Sequence, residues 1–310
     1  MPRRIIVTGV TQASRAMRLK TFLESQKEHF DEWHMWINTR DATQVPAVTQ
    51  PWIKIINPGD ADPADSLSRF MPGYCDTDTA YARLDENIAW MDPSFVKTLF
   101  EYREAAASHF LVHANVVNSS PLAHVHERLG CVSSKAGRAT FVMDDPVAKS
   151  DDYSADVVSS FKDSVAHGST EAWTFGRWML YHEHVDLHAF AWLGCHFDVF
   201  GGRVAMEETP FLCSDHPRRY GMPSSVCGKA LCIWSHEDII ARPEPAARPE
   251  SAPEPEPEPE PEPAPTPEPA PASAEFVETT PPPADPPADP PAGPPAAPRK
   301  RRATRRVVVS

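Results

Sequence analysis

Apolar positions in the first half of the chain fall into short strand-like runs separated by stretches with helical spacing. "RRIIVTGV" is a β-branched run closing on a Gly-containing turn, and the residues after it put Ala16, Leu19 and Leu23 on one side of a helix. Two more strand-like runs, "EWHMWINT" and "PWIKIIN", each end in polar turn residues. Tyr81 to Leu84 reads as the next strand. A polar turn follows, then a helix predicted to begin around Asp92 and Pro93, where Asp accepts backbone N–H bonds and Pro loses none. Phe95, Val96, Leu99, Phe100 and Tyr102 supply the buried side of that helix, and "HFLVHANVVN" supplies another strand. From about Asp144 to Gly168 the chain is polar and rich in Ser and Asp, which predicts an excursion or lid. The aromatic-rich "WTFGRWMLYHEHVDLHAFAWLGCHFDVFGG" and a last strand in "SSVCGKALCIWSHEDII" complete the pattern. Strands alternating with helices predict an α/β fold on a mainly parallel sheet.

The pattern stops near Arg242. Between Pro243 and Pro298 stand 23 of the 35 prolines, with 12 Asp or Glu against the single Arg248, a composition that builds no packed core. The expected organisation is a folded domain over 1–242, a disordered Pro/Glu/Ala-rich spacer over 243–298, and a basic tip over 299–310. "PEPEPEPEPEPEP" repeats every two residues whereas polyproline II turns every three, so its carboxylates point all round the rod. Fully extended at ~3.1 Å per residue, such a spacer would reach ~170 Å. The tip, with Arg299, Lys300, Arg301, Arg302, Arg305 and Arg306, is a candidate contact for a polyanion such as DNA, and a plain solubility tail is the alternative.

The formal net charge of −13 is not confined to the tail, and an acidic folded part argues against a fold that grips nucleic acid over its whole surface. No apolar run approaches the ~20 residues of a membrane span, and "MPRRIIVTGV" is no signal peptide, so a soluble cytoplasmic protein is expected. The six cysteines contain no C-x-x-C pair and read as scattered buried thiols rather than a zinc or disulfide framework.

The candidate chemistry lies in "YARLDENIAWMDPSF". Asp85 sits where a strand ends at a sheet edge, which is where ligands bind in open α/β sheets. Alternate residues of an extended turn put Asp85 and Asn87 on the same side, two oxygens of the kind that Mg²⁺ or Mn²⁺ takes before filling its octahedron with water and phosphate. An acidic turn that only caps a helix is the plain alternative. "TGVTQASR" has Gly9 but none of the further glycines of G-x-G-x-x-G, which fits a nucleotide-sugar site better than a dinucleotide-binding dehydrogenase.

Taken in order, "RIIVTGV", "DEWHMWINT", "YARLDENIAWMDPSFVKTL", "FLVHANVVNSS", "VDLHAFAWLGCHFDVFGG", "EETPFL" and "GKALCIWSHEDI" resemble the GT-A-type glycosyltransferases found in phages, bacteria and fungi, over most of residues 3 to 240. The resemblance implies a GT-A-like, Rossmann-type mixed sheet flanked by helices. It also implies a nucleotide-diphospho-sugar donor near the first strand and a divalent ion, Mn²⁺ or Mg²⁺, bridging its phosphates to the D-x-D-like turn. Thr8, Arg15, Asn38 and Thr39 would lie near the nucleotide, Arg83 would neutralise phosphate, and Asn115 and Asn118 would line the donor–acceptor cleft. His236 would complete the metal site of Asp85 and Asn87. The chain departs from the family in carrying Asn87 where Asp is commoner, which removes one negative charge, and in placing Trp234 and Ser235 ahead of the late histidine. Glu207 and Glu208 are the candidate bases of an inverting reaction, with Asp215 behind them, whereas a retaining reaction needs no such base. The implied acceptor is a hydroxyl on a modified phage-type DNA base, a protein or a glycan, and a phage-encoded enzyme would work in the host cytoplasm.

A rival constellation lies in "YHEHVDLHAF". His182, His184, Asp186 and His188 alternate and are expected to share one face of a strand. The H-x-D pair of His184 and Asp186, with His236 and an acid-binding Arg242, would make an iron/2-oxoglutarate-type oxygenase. A non-catalytic adaptor that binds partners through its proline-rich tail is the third class.

Overall fold

In the computed structural model the β-branched run at the start forms β1 (Arg3–Val10), whose inner residues are buried on both faces. It leads into α1 (Ala13–Glu24), which turns Ala16, Leu19 and Leu23 inward. β2 (Glu32–Ile37) and β3 (Ile53–Ile56) extend the sheet on one side of β1, and β4 (Thr79–Leu84) pairs with its other side, all of them parallel. The structure describes residues 2–57, 71–142, 145–181, 183–204 and 208–235. The expected spacer and basic tip, together with His182, Glu207, His236 and Arg242, lie outside them.

Beyond β4 the sheet changes character. β8 (Ala189–Leu193) runs antiparallel between β4 and β6 (Val112–Val117). β9 (Ser224–Trp234) then lies parallel to β6 and receives β5 (Ile88–Met91) and β7 (Arg177–Leu180) antiparallel. The order is β3-β2-β1-β4-β8-β6-β9-β5, with β7 also on β9. This is the mixed sheet flanked by helices that the family resemblance implies, rather than the mainly parallel one that strand–helix alternation suggests.

Alternation along the strands sorts the core. Ile6, Ala82, Val112 and Ala114 face α1 and α2 (Phe95–Ala105), while Ile5, Val7, Tyr81, Phe190 and Trp192 face the opposite side. A third cluster joins Trp90, Val117 and Ile233 to Tyr153, Val157 and Phe161 of α4 (Asp151–Ala166). The stretch expected to be a lid is thus a 16-residue helix with a buried face, begun by Ser150, whose hydroxyl accepts the Tyr153 N–H. Close packing shows at Gly194, the first residue of α5 (Gly194–Asp198), where a Cβ would stand 1.9 Å from the Asp76 carbonyl oxygen. Helix α2 starts three residues later than expected, and Asp92 instead accepts the Ser94 N–H and hydroxyl in a turn before it.

The topology has one consequence for function. The C-terminal ends of β1, β4, β6 and β9 and the start of β8 share a single sheet edge, and the polar turn at Asp85 lies in the middle of it. Among the described residues no helix is long and apolar enough to cross a membrane.

Candidate functional site

The turn Asp85–Glu86–Asn87 links β4 to β5, and its side chains divide as alternation predicts. Asp85 is fixed by its own backbone, whose N–H donates to the His188 carbonyl at 2.7 Å. Its Oδ1 accepts both the backbone N–H and the side-chain Nδ2–H of Asn87, each at 2.8 Å, closing an Asx-type turn. Oδ2 remains open, with His188 Nδ1 3.7 Å away. Burial opposes ionisation of Asp85, but the His188 ring, the Asn87 N–H and the charge of Arg83 outweigh it and hold the carboxyl down at about 2. Beside it the Asn87 Oδ1 is buried and has no partner among the described residues. One ionised oxygen and one orphaned amide oxygen, both hard donors, therefore stand at the corner, a set that suits an ion keeping most of its shell as water and phosphate. Among the described residues no three His, Cys, Asp or Glu are grouped to hold a metal unaided.

Glu86 points the other way and does different work. Helix α1 has no capping side chain of its own and no acid in its first turn. Glu86 Oε2 accepts the N–H groups of Thr11 and Gln12 at 2.8 and 3.1 Å, and Oε1 accepts the Thr11 hydroxyl and lies 3.8 Å from Arg15. It is a helix cap delivered from across the sheet, and it ties the β1–α1 turn to the acidic corner.

The segment before β8 completes the edge. Residues 183 to 188 are not a strand, since none of them pairs, yet Val185 and Leu187 are buried while His184, Asp186 and His188 are partly exposed, so the expected alternation holds without the expected ladder. The His188 ring stacks on Trp234 at 4.5 Å and an interplanar angle of 23°, with Asp85 near one ring nitrogen and Asp186 near the other, at 3.9 Å. Asp186 Oδ2 accepts the Ser119 hydroxyl at 2.9 Å and the Ser120 N–H at 3.0 Å, at the start of α3 (Ser120–Arg128). The H-x-D carboxylate is therefore turned into a helix terminus. Asn118, just before, holds left-handed backbone at φ 69°, and its Nδ2 donates to Ser154 Oγ and the Trp234 carbonyl.

Other expected site residues distribute unevenly. Asn38 and Thr39 lie at the end of β2, on this same edge; Asn38 is 9% exposed, its buried Oδ1 has no partner among the described residues, and Thr39 accepts the Asp41 N–H. Arg15 stands in the first turn of α1. Arg83 is buried, its guanidinium 5.7 Å over the Phe190 ring and its Nη1 2.5 Å from Glu208 Oε1. Glu208 is thus the counter-ion of a buried arginine rather than an unengaged base, and Asp215 is exposed.

Two residues are withdrawn from the site altogether. Thr8 is fully buried and accepts the Trp33 indole N–H at 3.0 Å, and Asn115 donates to the Trp173 and Gly228 carbonyls while accepting from His126. Burial holds the His126 imidazole down at about 3, keeping it neutral for that bond. The expectation that Asn115 lines a cleft fails because all of its polar atoms are engaged in the core. Glu86 and Trp234 carry the reverse lesson, since they shape the edge without having been marked as site residues. The turn's own alternation set Glu86 apart from Asp85 and Asn87, but nothing in the sequence named α1 as its partner.

No family model matches this chain, and no curated protein does. Among solved structures it is similar to a 4-diphosphocytidyl-2C-methyl-D-erythritol synthase, with 11% identity and a TM-score of 0.30 over 45% of this chain and 67% of that one. It is also similar to the synthase of that name from Anaerococcus prevotii, with 9% identity and a TM-score of 0.38 over 77% and 89%. Neither likeness decides what this chain does.

Proposed function

We propose that the chain is a metal-assisted glycosyltransferase that moves a sugar from a nucleoside diphosphate donor to an acceptor hydroxyl on DNA, protein or glycan. The observation that carries this reading is the corner at the end of β4: an ionised Asp85, its Oδ2 facing only the His188 ring at 3.7 Å among the described residues, beside an Asn87 Oδ1 with no partner among them, at the edge where four strand ends converge. Asp85 and Asn87 would hold Mn²⁺ or Mg²⁺, and a bound ion would compensate the negative charge that develops on the departing diphosphate.

The chain's own groups do the rest. Glu86 holds the β1–α1 turn, so the backbone facing the donor is fixed before binding. Arg83, two residues ahead of Asp85 on the same face, brings positive charge toward the phosphates while Glu208 fixes its guanidinium. Asn38 offers an amide oxygen with no donor among the described residues, which suits an N–H of a nucleobase. His188, stacked on Trp234, stands between the Asp85 and Asp186 carboxylates.

Incubation with UDP-glucose and GDP-mannose in the presence of Mn²⁺ tests the class before the acceptor is known. Release of UDP or GDP from at least one donor, abolished by EDTA, is the expected result. Turnover unaffected by EDTA would remove the metal from the account, and no binding or turnover of either donor would remove the class.

A further inference from the structure

Two helices on the functional edge lack caps of their own, and each is capped by a carboxylate from a neighbouring segment: α1 by Glu86 and α3 by Asp186. The two carboxylates are used differently. Glu86 engages both oxygens, is only 5% exposed, and has nothing left to offer a ligand. Asp186 engages Oδ2 alone; its side chain is 24% exposed, and Oδ1 has no partner among the described residues. A cap needs one oxygen, so the second is not explained by capping.

Its position is informative. Asp186 and Asp85 flank the His188 ring, with Oδ2 of Asp85 3.7 Å from Nδ1 and Oδ2 of Asp186 3.9 Å from Nε2, so the Asp186 carboxylate stands on the far side of one imidazole from the corner assigned to the diphosphate. Glu208, the described member of the acidic pair expected to supply a base, is engaged by the buried Arg83, and protonating it would remove the charge that this ion pair depends on.

We propose that Asp186 is the general base of the transfer. The assignment rests on the transferase reading above. The acceptor hydroxyl gives its proton to Asp186 Oδ1 and its oxygen forms a bond to the anomeric carbon; the bond from that carbon to the diphosphate oxygen breaks, and its electron pair leaves on the nucleoside diphosphate. Attack opposite the leaving group inverts the anomeric centre. In the absence of a known acceptor, water takes the same place, and the products are free sugar and nucleoside diphosphate. The Ser119 and Ser120 bonds to Oδ2 hold the carboxylate in place and leave Oδ1 for the acceptor.

Asp186→Asn tests this cleanly, because the amide oxygen still accepts from Ser119 and Ser120 while the proton acceptor is gone. With UDP-glucose or GDP-mannose and Mn²⁺, the variant should show the wild-type gain in melting temperature and an unchanged donor KM, with diphosphate release slower by about 100-fold or more. Wild-type turnover in the variant, or loss of donor-dependent stabilisation, overturns the assignment. An independent readout uses the wild type alone: proton NMR of the sugar first released from UDP-glucose should show the β anomer, and release of the α anomer contradicts a base-driven inversion. A wild type that binds a donor yet releases none of its diphosphate counts against Asp186 as well. If neither donor stabilises the wild type, the transferase reading itself has failed, which is a different result from any of these.

Discussion

Asn118 concentrates much of the local design in one residue. It closes β6 in left-handed backbone, which costs a side-chain-bearing residue about 1–2 kcal/mol, and its amide joins α4 to the end of β9 through Ser154 and Trp234. Trp234 in turn carries the His188 ring. Asn118→Gly removes the two hydrogen bonds but eases the turn, whereas Asn118→Ala removes them and leaves a Cβ in the strained conformation. In urea unfolding both variants should be less stable than wild type, with the Ala variant lower than the Gly variant by about 1 kcal/mol; the reverse order would mean that the turn is not left-handed in solution. Residues of this kind are hard to read from the chain. Asn115 and Asn118 stand in one strand-end motif, yet one amide turns into the core toward Trp173 and His126 and the other holds the edge together. The difference depends on a tryptophan 58 residues away, which no local pattern contains. The place of Asp85 at the end of β4 was legible because the apolar run stops at Leu84 and polar residues follow.

Among elements, β1 and β2 and the helices α1 and α2 follow from apolar spacing, and β3, β4, β6 and β9 from short apolar, β-branched runs bounded by polar turns. β5 escaped because it is only four residues long and stands between the acidic turn and the start signal of α2. α4 escaped for the opposite reason: its polar face dominates the composition, although Tyr153, Val157 and Phe161 recur every fourth residue behind a Ser cap and two first-turn aspartates, which is a readable helix start. "HVDLH" gave the right exposure and the wrong element, since alternation reports which side faces the core and not whether a neighbouring strand is present. The borrowed caps lay outside local reading altogether. Glu86→Ala would strand the Thr11 and Gln12 N–H groups and leave Arg15 without its partner, so unfolding free energy should fall by about 2–3 kcal/mol. A loss below about 0.5 kcal/mol by chemical denaturation would show that water replaces the cap and that the β1–α1 turn is not anchored through Glu86.

At the scale of the molecule, one antiparallel strand decides where the chemistry gathers. β8 enters between β4 and β6, so its leading residues Asp186 and His188 reach the same edge as the ends of β1, β4, β6 and β9. That convergence brings residues separated by more than a hundred positions around Asp85, and it is the reason a short acidic turn reads as more than a turn. The central claim is that this corner holds a divalent ion against the phosphates of a nucleotide. Calorimetric titration of UDP and GDP into the wild type and into Asp85→Asn, each with Mn²⁺ and then with EDTA, tests it most directly. At least one nucleotide should bind the wild type in Mn²⁺, and EDTA and the substitution should each weaken that binding by at least about tenfold, or about 1.4 kcal/mol. Equal affinity in all four conditions, or binding of neither nucleotide, would contradict it.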